Sequence, residues 1–333
     1  MSLLSTLALS AGIGLAVMAT LALGLIASQR PDPDPRGEGL DFGALTPAQP
    51  APLHPFTARD GAELGYRRWE AGVQGVPLVV MVHGSGWHGA QFQGLGAALA
   101  GLGLADVVAP DLRGHGPSPQ RRGDVDYIGQ FEDDLADLIA AQARPGQAVV
   151  MLGHSSGGGL VVRFAGGEHG GLLAGAVLLA PFLQHDAPTT RPHSGGWARV
   201  LLRRMIGLSL LNAARITALN HLTVIQFLFP DAVLNGPQGH TATRSYSYRL
   251  NTGFAPRRDW RADVAALPRF LLVVGRRDEA FVADAFEPTL SAITPRGTYR
   301  RIESGHLGVV DAPETLAALS AFLSGLAEGA PAR

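Results

Sequence analysis

The stretch 148-AVVMLGHSSGGGL-160 runs five apolar residues into a histidine, two adjacent serines and a cluster of glycines. Gly153-His154-Ser155-Ser156-Gly157 fits G-x-S-x-G, and it sits in the context that motif needs: after a buried-strand run and before the helical-looking 158-GGLVVRFAG-166. The reason is steric. A nucleophile on a tight strand-to-helix turn has strained backbone angles, and small residues at 153 and 157 let strand and helix pack closely. The turn exposes the hydroxyl and sets the free N–H groups of a helix N-terminus beside it. The spacing selects Ser155 as nucleophile and leaves the backbone N–H of Ser156 for an oxyanion. Alone, the pentapeptide also fits an ordinary glycine-rich turn, so the rest of the chain must supply its partners.

Outward from this turn the pattern alternates. Short apolar runs recur at 78-LVVMV-82, 104-LADVVA-109, 174-AGAVLLA-180 and 270-FLLVV-274. Such runs bury both faces, as in a parallel sheet. Between them lie amphipathic helical patterns, with Ile128, Phe131, Leu135, Leu138 and Ile139 on one face of the clearest, and Leu316, Leu319, Phe322 and Leu323 on one that starts at Pro313. The expected fold is a doubly wound, mostly parallel α/β sheet, with an early hairpin turning at Asp60-Gly61. The rhythm breaks between 185 and 261, where 197-WARVLLRRMIGLSLLNAA-214 reads as amphipathic helix and no buried-strand run stands out. The expected organisation is a core of 53–184 and 262–333 with an inserted helical cap of 185–261.

A serine hydroxyl needs a base, and the base needs an orienting acceptor. Of eleven histidines, His306 in 298-TYRRIESGHLGVV-310 is the one that follows the last strand-like run, with Gly305 before it to turn the chain. Asp278 in 271-LLVVGRRDEAF-281 stands just past a strand end and is the favoured orienter, with Glu279 and Asp284 as rivals. The order Ser155, Asp278, His306 is the order in which this triad is threaded on an α/β sheet. The second oxyanion donor is expected from 82-VHGSGWHG-89, at the backbone N–H of Ser85. His83 reads as a brace for that loop. Trp87 and His88, with Phe227 and Phe229 of 222-LTVIQFLFP-230, are the candidate substrate-binding residues; all four read equally well as cover or core.

On the residues 83-HGSG-86, 111-DLRGHGPS-118, 121-RRGDVDYIGQFEDDL-135, 153-GHSSGG-158, the aspartate of 275-GRRDE-279 and the histidine of 304-SGHLG-308, the chain resembles the α/β-hydrolases, and among them the monoacylglycerol lipase, lysophospholipase and serine-aminopeptidase-like group. The resemblance covers about residues 55 to 328. Lipases of this group often carry Met after the nucleophile, where this chain has Ser156; the backbone N–H role survives, while the pocket wall becomes more polar.

Composition narrows the alternatives. Hydrophobic residues make up 46% of the 333 and charged residues 17%, so a large core is within reach and whole-chain disorder is excluded. A net charge of −1 gives no electrostatic reason to expect a nucleic-acid partner. There is no cysteine, and all 27 basic residues are arginine, which removes thiolate and lysine chemistry. No metal-ligand cluster stands out, and the expected chemistry requires no metal or cofactor.

The N-terminus is a separate matter. Leu3 to Ser28 carry no charge and would span roughly 39 Å as a helix, enough to cross a bilayer core of roughly 30 Å. The expectation is a transmembrane anchor over 1–29, in a bacterial inner membrane, followed by an extended Pro-rich linker over 30–52. The alternative is a cleaved signal peptide and a secreted or periplasmic protein. Arg30 and Arg36 follow the span and none precedes it, which favours a cytoplasmic catalytic domain. The expected activity is hydrolysis of carboxylic esters through an acyl-enzyme, on lipidic esters such as a monoacylglycerol or lysophospholipid. A serine peptidase, an acyltransferase or perhydrolase-type activity on the same triad, and an inactive membrane-anchored binding protein, are the other readings.

Overall fold

A computed structural model describes residues 2–44 and 49–328. Residues 45–48 of the expected linker and 329–333 of the expected core lie outside the described residues. Six strands run in sequence before the insertion or on its near side: β1 (His54–Thr57), β2 (Glu63–Trp69), β3 (Leu78–Val82), β4 (Asp106–Pro110), β5 (Val149–His154) and β6 (Gly175–Leu179). Three short ones follow in the insertion, β7 (Ala198–Val200), β8 (Thr223–Phe227) and β9 (Ser245–Ser247), and then β10 (Phe270–Gly275) and β11 (Gly297–Ile302). Eight of these form one sheet in the order β1-β2-β4-β3-β5-β6-β10-β11. Only β2 opposes its neighbours; the pairs from β4 to β11 are parallel.

Every residue of β3, β4, β5, β6 and β10 is buried, as an apolar run flanked by helices on both faces requires. The covering helices include α2 (Gln93–Gly101), α3 (Gln130–Gln142), α4 (Ser156–Ala165) and the C-terminal helix Pro313–Glu328. β11 escaped the sequence reading because its pattern is that of an edge: Tyr299 and Ile302 point inward while Arg300 and Arg301 are exposed, which blunts the edge against foreign strands. The hairpin expected at Asp60-Gly61 joins β1 to β2, with Gly61 at φ 84°.

Two expectations require correction. The insertion is not wholly helical. It carries α5 (Leu202–Ala213), but β7, β8 and β9 form a three-stranded antiparallel sheet. The run 222-LTVIQFLFP-230 is largely β8, whose β-branched residues suit a pleated surface; strands of three residues carry too little alternation to read. The linker, too, is not free. Its residues 32–42 lie along the insertion: Asp32 N–H donates to Gln226 Oε1 at 2.8 Å while Gln226 Nε2 donates back to Asp32 O at 2.6 Å, and Gly37 N–H reaches Phe229 O at 3.3 Å. Before it, α1 (Leu3–Ala27) has a mean hydropathy of 2.1 and no charged residue. It is long and apolar enough to cross a membrane. Its last turns, at Ala22 and Ile26, pack on Leu208 and Leu211 of α5.

Candidate active site

Ser155 sits between the end of β5 and the start of α4, at φ 54° and ψ −122°. A non-glycine residue held there stores on the order of 1–3 kcal/mol, sustained only where the surroundings over-determine it. The surroundings are tight. A Cβ on Gly153 would stand 2.2 Å from Gly157 O, and one on Gly157 would stand 2.2 Å from Val82 O. Only glycine at both positions lets β5, α4 and β3 converge, which is the steric reason for the motif.

The structure brings His306 and Asp278 to this turn. His306 Nε2 lies 3.0 Å from Ser155 Oγ, and its Nδ1 lies 2.8 Å from Asp278 Oδ2. Asp278 follows β10 and His306 follows β11, while Ser155 follows β5, with β6 lying between β5 and β10 in the sheet, so the ends of these parallel strands deliver the three side chains to one edge. Asp278 Oδ1 also accepts the N–H groups of Ala280 at 2.8 Å and Phe281 at 2.7 Å. An ionised carboxylate accepts only, so Nδ1 carries the proton and Nε2 presents its lone pair to the serine hydroxyl. Both groups are almost wholly buried. The rival carboxylates stand elsewhere. Glu279 accepts the backbone N–H of His306 at 2.6 Å, and the exposed Asp284 pairs with Arg301 at 2.5 Å.

Opposite His306, the loop after β3 brings Ser85 against the nucleophile turn, with Ser85 Oγ 2.5 Å from Ser156 Oγ. Among the described residues, the backbone N–H groups of Ser85 and Ser156 donate to no protein acceptor. They are the two N–H groups that the sequence reading singled out. His83 braces the loop as anticipated: its Nδ1–H donates to Gly84 O at 2.8 Å, and its Nε2 accepts Leu112 N–H at 3.2 Å.

The cavity over Ser155 is lined by Trp87, Trp197, Phe229 and Leu307 of the folded core and insertion, and by Leu40 and Phe42 of the N-terminal segment. Trp87 and Phe229 thus stand where a substrate-binding role requires. His88 and Phe227 do not line this cavity and are corrected. The His88 ring is buried under Thr241, with Nε2 2.9 Å from its hydroxyl, because the ring turns back to cap the short helical turn beginning at Gly89. Burial, followed by the charge of Arg67, lowers the pKa of His88 to about 3. Phe227 stacks behind Trp197 at 5.5 Å and meets Tyr246 edge-on at 4.6 Å, so it supports the wall rather than forming it.

A family model described as serine aminopeptidase, S33 matches residues 75–243, more than half of the chain. The chain belongs to this family of α/β-hydrolases. Within it, the chain is 32% identical over 155 residues to human monoglyceride lipase, covering 46% of this chain and 49% of that protein. It is also 32% identical over 136 residues to the monoacylglycerol lipase of Mycolicibacterium smegmatis, covering 40% and 48%. The chain therefore spans about half the length of these curated relatives. Among solved structures, a membrane phospholipase A shares the fold over 98% of both chains with a TM-score of 0.56 at 18% identity.

In this S33-family chain, several site residues had escaped the motif reading. Gln91 Oε1 accepts Gly84 N–H at 3.1 Å, its Nε2 donates to His154 Nδ1 at 2.6 Å, and His154 Nε2–H donates to His306 O at 2.9 Å. One buried relay thus ties the loop at Gly84, the turn at Ser155 and the loop at His306 together. Burial, with His306 adjoining, lowers the pKa of His154 to about 3 and keeps it neutral. A second tie runs from the insertion. Tyr246 Oη accepts Gly86 N–H at 2.6 Å and donates to His115 Nε2 at 2.7 Å. His115 belongs to 111-DLRGHGPS-118, and its Nδ1–H is held by Arg113 O at 3.1 Å. The histidine in the x position of G-x-S-x-G was the available signal for the first tie; nothing local announces Gln91 as its partner, or Tyr246 as the partner of His115 in the second.

Proposed function

We propose that this chain hydrolyses carboxylic esters as a serine hydrolase, through an acyl-enzyme on Ser155. The observation that carries the reading is the continuous hydrogen-bond chain Asp278–His306–Ser155, at 2.8 and 3.0 Å, on a strained turn at a helix N-terminus. Ser155 Oγ attacks the ester carbonyl while His306 Nε2 takes its proton. Charge develops on the carbonyl oxygen, and the N–H groups of Ser85 and Ser156 supply the donors that stabilise it. His306 then gives the proton to the leaving alcohol, and Asp278 stabilises the imidazolium formed between these steps. A water, deprotonated by His306, attacks the acyl carbon and releases the acid, restoring Ser155.

An ester substrate, rather than a peptide, is favoured by the cavity wall. A peptidase acting at an amino terminus needs an acidic group for the substrate's ammonium, and no Asp or Glu lines the cavity among the described residues. The aromatic and aliphatic walls favour lipidic esters such as monoacylglycerol or lysophospholipid, the first in keeping with the names of the two lipases of matching sequence. α1 is proposed as a membrane anchor, in a bacterial inner membrane, that brings the site to such substrates. The working division is a catalytic core of 53–184 and 262–333 with the insertion 185–261.

The test is hydrolysis of p-nitrophenyl esters from acetyl to dodecanoyl by the full chain and by Ser155→Ala. The reading requires a loss of roughly 10⁴–10⁶-fold in kcat in the variant, as when a triad nucleophile is removed, and a preference for longer acyl groups. Undiminished hydrolysis by the variant sinks the nucleophile assignment. A preference for acetate alone sinks the lipidic substrate.

A further inference from the structure

We infer that Leu40 and Phe42, on the segment between α1 and the catalytic core, are specificity-determining residues of the substrate pocket and limit which acyl group reaches Ser155. This rests on the ester-hydrolase reading of Ser155. Both side chains line the same cavity as Ser155 and His306, although a tether from the membrane has no need to enter the site. Phe42 lies within an aromatic cage, with ring centroids 6.5 Å from Trp87, 5.5 Å from Trp197 and 5.4 Å from Phe229. Leu40 is 7% exposed.

The segment is fitted to this place. Gly39 passes so close to the insertion that a Cβ there would stand 2.5 Å from Trp197 N. Upstream, the reciprocal Asp32–Gln226 pair fixes its register against β8. Arg244 Nη2 donates to Asp34 Oδ1 at 2.7 Å, and Arg36 bridges Asp34 and Asp231. These charged pins are largely exposed, so each contributes little. The docked strap is held by its apolar end and aligned by its polar one.

The size of the cavity gives the strap its consequence. The space is about 20 Å³, enough for roughly one water. An acyl chain cannot lie there until the roof over Ser155 shifts. The remaining walls, Trp87, Trp197 and Phe229, belong to the core and insertion, while Leu40 and Phe42 belong to a segment lying on the surface of both. The strap side chains are therefore the parts of the roof that yield with least disturbance, and their bulk decides how much of an aliphatic chain fits beneath. Because Leu40 follows the end of α1 by only thirteen residues, the roof is covalently close to the candidate anchor.

The experiment uses the full chain in detergent, with Leu40→Ala, Phe42→Ala and Phe42→Trp, and reads kcat/KM for p-nitrophenyl acetate, butyrate, octanoate and dodecanoate. Labelling of Ser155 by a small methyl fluorophosphonate confirms that each variant has a formed site. Phe42→Leu carries the test if the alanine variant does not fold. One methylene in an apolar pocket is worth about 10-fold or more in kcat/KM, so the octanoate-to-acetate ratio is expected to rise by about 10-fold in Phe42→Ala and to fall in Phe42→Trp. A ratio unmoved within about twofold in the truncated and enlarged variants, with wild type active, overturns the strap's role and leaves the ester reading intact. No ester hydrolysis by a wild type that still labels overturns the ester reading, and the inference with it.

Discussion

Gln91 does not touch Ser155, yet it holds the loop and the turn that flank it. Its amide links the Gly84 N–H to the His154 ring beside Ser155. Replacing it by leucine leaves a buried donor and a buried acceptor unpaired, at about 1–3 kcal/mol each. The loop carrying Ser85 is then free to shift, and a displacement of about 1 Å in a reacting geometry costs on the order of 10²-fold. Gln91→Leu is therefore expected to lower kcat by about 10–100-fold with little change in KM, read on a single p-nitrophenyl ester. An unchanged kcat would mean the loop is held well enough by its other bonds, among them those to His83, Tyr246 and Thr243. The hydrogen-bonded cluster of Ser155, His306 and Asp278 was legible because each member follows a strand end within a few residues, so chain order and turn chemistry located it. His88 and Phe227 were not legible, since a histidine or phenylalanine beside an active-site loop points into or away from a cavity according to packing that no local pattern reports.

At the scale of elements, legibility followed burial. β3, β5, β6 and β10 are covered on both faces and are written as continuous apolar runs, which fixed the sheet and with it the position of the nucleophile turn. β11 was hidden by its exposed arginines, and β7 and β9 by their length of three residues. The strap is the instructive miss. Its composition of Pro, Gly and Asp is that of a solvated tether, yet the residues that hold it lie about two hundred positions away, Asp32 against Gln226 and Asp34 against Arg244. Segments whose order comes from remote partners carry no periodicity of their own.

At the scale of the molecule, the buried histidines set the response to acid. Burial, as the largest cause, lowers the pKa of His88 to about 3, of His115 to about 4 and of His154 to about 3, against an ordinary 6.5. As pH falls through 6.5 the unfolded chain takes up these protons and the folded chain does not. Stability is therefore unaffected by them above 6.5 and is lost progressively below it, down to pH 4 and then 3. Each histidine contributes a slope approaching about 1.4 kcal/mol per pH unit. The buried carboxyls of Asp111, Asp134 and Asp311, which burial raises, oppose this in part. The thermal midpoint is expected to drop by several degrees between pH 6.5 and 5, and a midpoint level across that interval would contradict neutral burial of the three rings.

The central claim is that Ser155 is the nucleophile, and the most direct measurement is the site of covalent capture. The full chain is treated with a fluorophosphonate, and the adduct is located by peptide mass. The account predicts one adduct, on the peptide containing Ser155, absent from Ser155→Ala and slowed in His306→Ala. An adduct on Ser156 or another serine, or one that persists in Ser155→Ala, would contradict it.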